Sequence, residues 1–204
     1  MPDSSAVFVV DADAHVRASL AALLGASGHA VESFGSADEF LAGFDAERGG
    51  CVVLDIRLEG MGALALQRRL SALHAIVPMV FITGHGDVPL AVEAMQHGAV
   101  DFVQKPFKDH ELVERVGHAL AQDRDNRACL RAPATIRARL ECLSAEERAV
   151  LEHFAADKPD RQVAGALGLT LRSVEIHRAR LLEKMSACSQ AHLVRMALEV
   201  RRPH

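Results

Sequence analysis

The stretch Val7 to Arg17 reads VFVVDADAHVR. Four apolar residues, three of them β-branched, run directly into Asp11 and then Asp13. A short apolar run of this kind reads as a strand buried on both faces, and a carboxylate at its end stands at the carboxyl edge of a parallel sheet, where open α/β folds place their sites. The chain then repeats the pattern. An amphipathic segment with Val16, Leu20, Leu23 and Leu24 on one face closes near Gly25 and Gly28. AVESF, a short helix around Ala37 to Ala42, CVVLD, and a helix through Leu64, Leu66, Leu70 and Leu73 follow. The strand VPMVFIT precedes a helix entered at Asp87-Val88-Pro89, with Pro89 in the first turn, that runs to Gly98. The strand AVDFVQK and a helix through Leu112, Val113, Val116 and Leu120 complete five βα units. The expected fold is α/β, a flavodoxin-like doubly wound sheet of five parallel strands.

Composition bounds the remainder. With 204 residues, half of them apolar, the chain can hold one large or two small domains, each able to bury a core, and is not expected to be disordered. No run approaches the roughly 18 apolar residues of a membrane span, and MPDSSAV lacks the apolar segment of a signal peptide, so a cytoplasmic protein is expected. Cys51, Cys129, Cys142 and Cys188 form no C-x-x-C and are read as free thiols, with a redox role for Cys129 and Cys142 left open. The net charge of −4 hides an asymmetry. Residues 1–122 carry 8 Lys and Arg against 16 Asp and Glu, residues 123–142 carry 5 against 3, and residues 143–204 carry 10 against 8. An acidic front and a mildly basic back predict two modules, 1–122 and 143–204, joined by a polar linker over 123–142 that can continue the last helix for a turn or two.

Residues of functional type fall at the strand ends: Asp11 after the first, Asp55 after the third, Thr83 after the fourth, Lys105 after the fifth. In a doubly wound sheet these ends converge on one edge. Two resemblances compete for the opening aspartates. Asp11-x-Asp13 resembles the first motif of haloacid dehalogenase-like phosphohydrolases, in which the first carboxylate is the nucleophile and the second the acid/base. That reading lacks an acidic pair after the lysine and leaves Asp55 unexplained. Alternatively, Asp11-Ala12 resembles the acidic pair of a response-regulator receiver with its second member replaced.

VFVVD, CVVLDIRLEGM, ITGHGDVP and AVDF-x-x-KPF together resemble the receiver of the NarL/FixJ family of response regulators, in its FixJ branch. The resemblance implies that Asp55 accepts a phosphoryl group from a sensor histidine kinase and that Lys105 pairs with that group. It implies that Thr83 senses the phosphoryl oxygens, that Phe102 is the switch aromatic, and that Lys105-Pro106 is a cis peptide. It further implies a Mg2+ held by Asp11, Asp55 and the backbone carbonyl of Arg57, with Asp13 a further candidate ligand. Family receivers carry an acid where this chain has Ala12, so the metal pocket is expected to be weakened. Glu59 replaces a usual proline and Ala63 a usual glycine, which predicts a reshaped loop.

Behind the linker, LSAEERAVLEHF opens a helix with a capping box from Ser144 to Glu147. A short helix stopped at Gly168 and a third helix, capped by Thr170 and running to Met185, make a helix-turn-helix. This part resembles the LuxR-type DNA-binding domain. On the third helix Val174, Leu181 and Met185 face the core. The resemblance assigns base reading to Glu175, Ile176 and Ala179, with Ser173 at the flank, and phosphate contacts to Arg172, Arg178, Arg180 and Lys184. Asp160 and Gln162 depart from the family's usual Asn and Glu. The implied protein is not an enzyme. It is a transcription regulator that binds promoter DNA, dimerises through Val88–Ala121 and the last helix when active, reaches RNA polymerase as a further partner, and has no membrane partner. A phosphorylation-switched regulator and a regulator with an unresponsive pseudo-receiver both remain open.

Overall fold

The computed structural model describes residues 5–84, 88–156 and 158–201. It divides into two compact units, one running to Leu70 and resuming over Val77–Asp125, the other comprising Ser71–Ile76 and the chain from Asn126 onward.

The first unit carries β1 (Ala6–Val10), α1 (Ala14–Ala26), β2 (Ala30–Phe34), α2 (Ala37–Gly43), β3 (Gly50–Asp55), α3 (Ala63–Ala72), β4 (Met79–Thr83), α4 (Val88–Gln96), β5 (Asp101–Gln104) and the start of α5 (Asp109–Leu130). All pairings are parallel, in the order β2-β1-β3-β4-β5. The expected α/β sheet is present, and its strands explain themselves. Val7 and Val9, Cys51 and Val53, Val80 and Ile82 alternate onto one face, where Leu20 and Leu24 of α1 and Leu112, Val116 and Leu120 of α5 cover them. On the other face Phe8 packs in a cluster of rings with Phe34, Phe40 and Phe44. Each fully buried side chain of this size contributes roughly 1.5–3 kcal/mol, so both faces drive the sheet together. Gly50 starts β3 with φ 151°, and a Cβ there would lie 2.1 Å from the Ala6 carbonyl oxygen, so β1 and β3 pair only because no side chain stands at that point.

The second unit carries α6 (Pro133–Glu141), α7 (Ala145–Ala155), α8 (Asp160–Leu167), α9 (Leu171–Met185) and α10 (Gln190–Arg201). Its core is built from Ile136, Val150, Leu151, Phe154, Val163, Val174, Leu181, Met185, Leu193 and Met196. The capping box forms as expected, Glu147 N–H donating to Ser144 Oγ at 3.2 Å and Ser144 N–H to Glu147 Oε2 at 2.8 Å. Gly168 ends α8 in the left-handed conformation, φ 66°, and Thr170 caps α9. The stretch expected as a linker is itself helical. The fifth helix continues to Leu130, and α6 opens with Pro133 in its first turn and inserts Ile136, fully buried, into the second core. One apolar side chain per turn among many charges was too sparse a pattern to announce it. Among the described residues no helix is long and apolar enough to cross a membrane.

Candidate functional site

The strand ends converge as the spacing predicts. Asp11 follows β1, Asp55 ends β3, Thr83 ends β4 and Lys105 follows β5. Lys105 Nζ donates to Asp55 Oδ2 at 2.6 Å and lies 3.9 Å from Asp11 Oδ2. Asp55 Oδ1 accepts from the Arg57 backbone N–H at 2.8 Å, which fixes the plane of the carboxylate. The Asp11 side chain is buried. Its Oδ1 accepts from the Asp13 N–H at 2.8 Å, whereas Oδ2 is buried with no hydrogen-bond partner. Burial raises the Asp11 pKa above the ordinary carboxylate value, the Asp55 charge adds to the rise, and the Asp13 N–H and Lys105 oppose it. The Lys105-Pro106 peptide is cis.

Ala12 is exposed and brings no side-chain oxygen to this edge. Its carbonyl and that of Asp11 accept from Arg17 Nη1 at 2.9 and 2.7 Å, so a residue one turn into α1 clamps the loop at the position where the acid is missing. Asp13 is the N-cap of α1. Its Oδ1 accepts from the His15 and Val16 N–H groups, which hold its carboxyl below the usual range. Among the described residues no three His, Cys, Asp or Glu side chains come together as a ready-made metal cage. Glu59 is exposed, next to Gly60 at φ 72°, and Ala63 is buried as the first residue of α3. His85, Gly86 and Asp87 of the ITGHGDVP string lie outside the described residues.

Thr83 is buried and its hydroxyl donates to the Val103 carbonyl at 3.4 Å, a long bond. Phe102, one strand over, is 41% exposed. It stands beside Arg115, which pairs with Asp101, and a cavity of about 400 Å³ is lined by Phe102, Gln104, Lys105, Glu111 and Arg115.

In the second unit, α9 turns Val174, Leu181 and Met185 inward and leaves Arg172, Glu175, Ile176, Ala179 and Arg180 exposed. Ser173 is tied to the cap, its Oγ 2.8 Å from Thr170 Oγ1. Arg178 and Lys184, expected to hold phosphates, each meet a carboxylate inside the unit. Arg178 pairs with Asp160 of α8 and lies over the Phe154 ring, 5.1 Å from its centroid. Lys184 Nζ donates to Glu147 Oε2 at 2.8 Å and is the first cause of that carboxyl's lowered pKa. Sequence reasoning had no local signal for either pair, since the partners are 18 and 37 residues away.

Two family models match the chain: response regulator receiver domain over residues 7–117, and bacterial regulatory proteins, luxR family, over residues 141–197. The transcriptional regulatory protein FixJ of Rhizobium meliloti (strain 1021) is 44% identical, covering 94% of both chains. The chain is a response regulator of the NarL/FixJ family. Nodulation protein W of Bradyrhizobium diazoefficiens is 43% identical over 94% of this chain and 84% of the relative. The crystal structure of full-length FixJ from B. japonicum matches with a TM-score of 0.57 at 37% identity, covering 98% of each chain. As a NarL/FixJ regulator the chain joins a receiver to a LuxR-type DNA-binding domain, in a family of transcription regulators, and the phosphohydrolase reading is set aside.

Proposed function

We propose that phosphorylation of Asp55 by a sensor histidine kinase controls how this regulator binds promoter DNA, through a magnesium pocket weakened at Ala12. The observation that carries the reading is the Asp55 carboxylate, held between the Arg57 N–H and Lys105 Nζ beside a buried Asp11 oxygen with no hydrogen-bond partner. An orphaned carboxylate oxygen next to a second carboxylate is a donor set for a hard cation, and Asp11, Asp55 and the Arg57 carbonyl are the oxygens that would hold Mg2+. When bound, the ion supplies positive charge to the phosphoryl oxygens during transfer. Asp13, engaged at the helix cap, is the weaker candidate ligand.

An Asp55 oxygen attacks the phosphorus of a phosphohistidine. The new O–P bond forms as the P–N bond breaks and its electron pair leaves with the imidazole. Lys105, already on Asp55, transfers its ion pair to a phosphoryl oxygen, where charge develops in the loose transition state. The Thr83 hydroxyl exchanges its long bond to Val103 for a phosphoryl oxygen, and Phe102 turns from solvent into the space Thr83 leaves. That movement alters a face where Val92, Met95 and Phe102 are exposed, the surface proposed for homodimer formation together with α10. Promoter DNA is then read by Glu175, Ile176 and Ala179 and held by Arg172 and Arg180, and the bound dimer reaches RNA polymerase. The methyl group at Ala12 favours a second reading, a receiver that no longer responds. Intact-mass measurement after incubation with a small phosphodonor and magnesium separates the two. One added phosphoryl group, lost in Asp55→Asn, supports phosphorylation control, and no addition at any magnesium concentration supports the pseudo-receiver.

A further inference from the structure

The recognition helix carries four basic residues, Arg172, Arg178, Arg180 and Lys184, against Glu175 and Glu183. Lys184 is held by Glu147 and Arg178 by Asp160. The grip on Arg178 is twofold, through a carboxylate and a ring, and it carries the cost of one unsatisfied donor. Its Nη2 meets the Asp160 carboxylate and its guanidinium lies on the Phe154 ring, which together draw the head group onto the body of the domain even though its Nε is buried without a hydrogen-bond partner. Asp160 is the first residue of α8, where the helix dipole also favours a carboxylate, so the dipole and the guanidinium both hold it in place.

We propose that Asp160 is a specificity-setting residue: by sequestering Arg178 it removes one phosphate contact from the DNA interface and lowers sequence-independent affinity relative to base reading. The inference rests on the DNA-binding reading of α9. Phosphate contacts supply nearly all non-specific binding, and each contributes about 0.9 to the slope of log affinity against log salt on duplex DNA. An arginine already neutralised by a carboxylate of its own domain releases no counterion when DNA arrives and does not contribute to that slope. A neutral side chain at position 160 would leave the guanidinium free to reach a phosphate.

The test measures binding of the full-length protein, treated with a small phosphodonor and magnesium, to a random-sequence duplex across a salt series. Wild type, Asp160→Asn, Arg178→Ala and the double variant are compared, with circular dichroism confirming that each is folded. Asp160→Asn should steepen the slope by about 0.9 per protomer, roughly a threefold greater loss of affinity between about 50 and 200 mM salt. Arg178→Ala alone should leave the wild-type slope unchanged, and the double variant should return to it. An unchanged slope in Asp160→Asn overturns the proposal, as does a flatter slope in Arg178→Ala. Steepening that survives in the double variant also overturns it, because the effect would then belong to the general field of the removed charge. If none of the four proteins binds DNA at any salt concentration, the DNA-binding reading itself falls and takes the inference with it.

Discussion

Ala12→Asp should tighten magnesium binding by one to two orders of magnitude. As the chain stands, the pocket holds two carboxylates, Asp11 and Asp55, and one ammonium, Lys105, a formal charge of −1. A carboxylate at position 12 makes it −2 and doubles the charge facing a divalent ion. Two unit charges about 4 Å apart at an effective dielectric of about 20 attract by about 4 kcal/mol, and by twice that for a divalent ion. Desolvating the ion and the new carboxylate offsets most of this. A net gain of about 1.4–2.8 kcal/mol remains, the ten- to hundredfold range. The new side chain has room, because Ala12 is exposed and its carbonyl is already tethered by Arg17. With no Trp or Tyr in the chain, calorimetric titration with magnesium chloride is the assay. Affinity in both proteins should weaken as pH falls toward the raised Asp11 value, since a proton on Asp11 competes with the metal, and should do so at higher pH than for an ordinary carboxylate. Equal magnesium affinity in wild type and Ala12→Asp would refute the reasoning and place the missing ligand elsewhere, on Asp13 or Glu59.

Lys105→Gln also takes the pocket from −1 to −2 and should likewise tighten magnesium binding, but it should slow phosphoryl transfer where Ala12→Asp speeds it; parallel calorimetry and intact-mass time courses separate the two. His192 is buried, with burial first and then Arg139 and Arg195 pushing its pKa down to about 4. The unfolded chain therefore takes up a proton near pH 6.5 that the folded chain refuses, and stability of the helical unit should fall by up to about 3 kcal/mol as pH drops from about 6.5 to about 4. Urea unfolding followed by circular dichroism should show this slope in wild type and lose it in His192→Phe. Glu147→Ala removes one half of the capping box and the partner of Lys184, and should cost about 1–2 kcal/mol in the same assay.

The sheet was legible because its strands are apolar runs bounded by turn residues, and because a parallel doubly wound sheet brings the carboxyl ends of its strands to one edge. Asp55, Thr83 and Lys105 therefore fell into place from spacing alone. The helix-turn-helix was legible for a similar reason, since Ser144, Gly168 and Thr170 punctuate it locally. What escaped were contacts set by tertiary packing. Asp123, expected in a linker, is fully buried on α5 and accepts from the Gly50 N–H at 2.9 Å, 73 residues away. Gln67 crosses from α3 to the Ala94 carbonyl of α4 at 2.9 Å. The pairing of Arg178 and Lys184 with carboxylates left no trace in the sequence, because a basic residue on an exposed helix face gives no sign of a partner folded against it. Asp160 and Asp13 are the instructive cases. Both stood out in the sequence, one as a departure from the family pattern and the other as a candidate ligand. Only the structure shows that one holds an arginine and the other caps a helix.

The central claim is that the chemical state of Asp55 governs DNA binding, and the most direct test titrates full-length protein against a library of promoter fragments with and without a small phosphodonor in high magnesium. The account predicts that the phosphodonor shifts wild-type affinity for the selected fragments, that Asp55→Asn shows no shift, and that Ala12→Asp reaches the shifted state at lower magnesium. Identical DNA binding by wild type and Asp55→Asn, with and without phosphodonor, would contradict it.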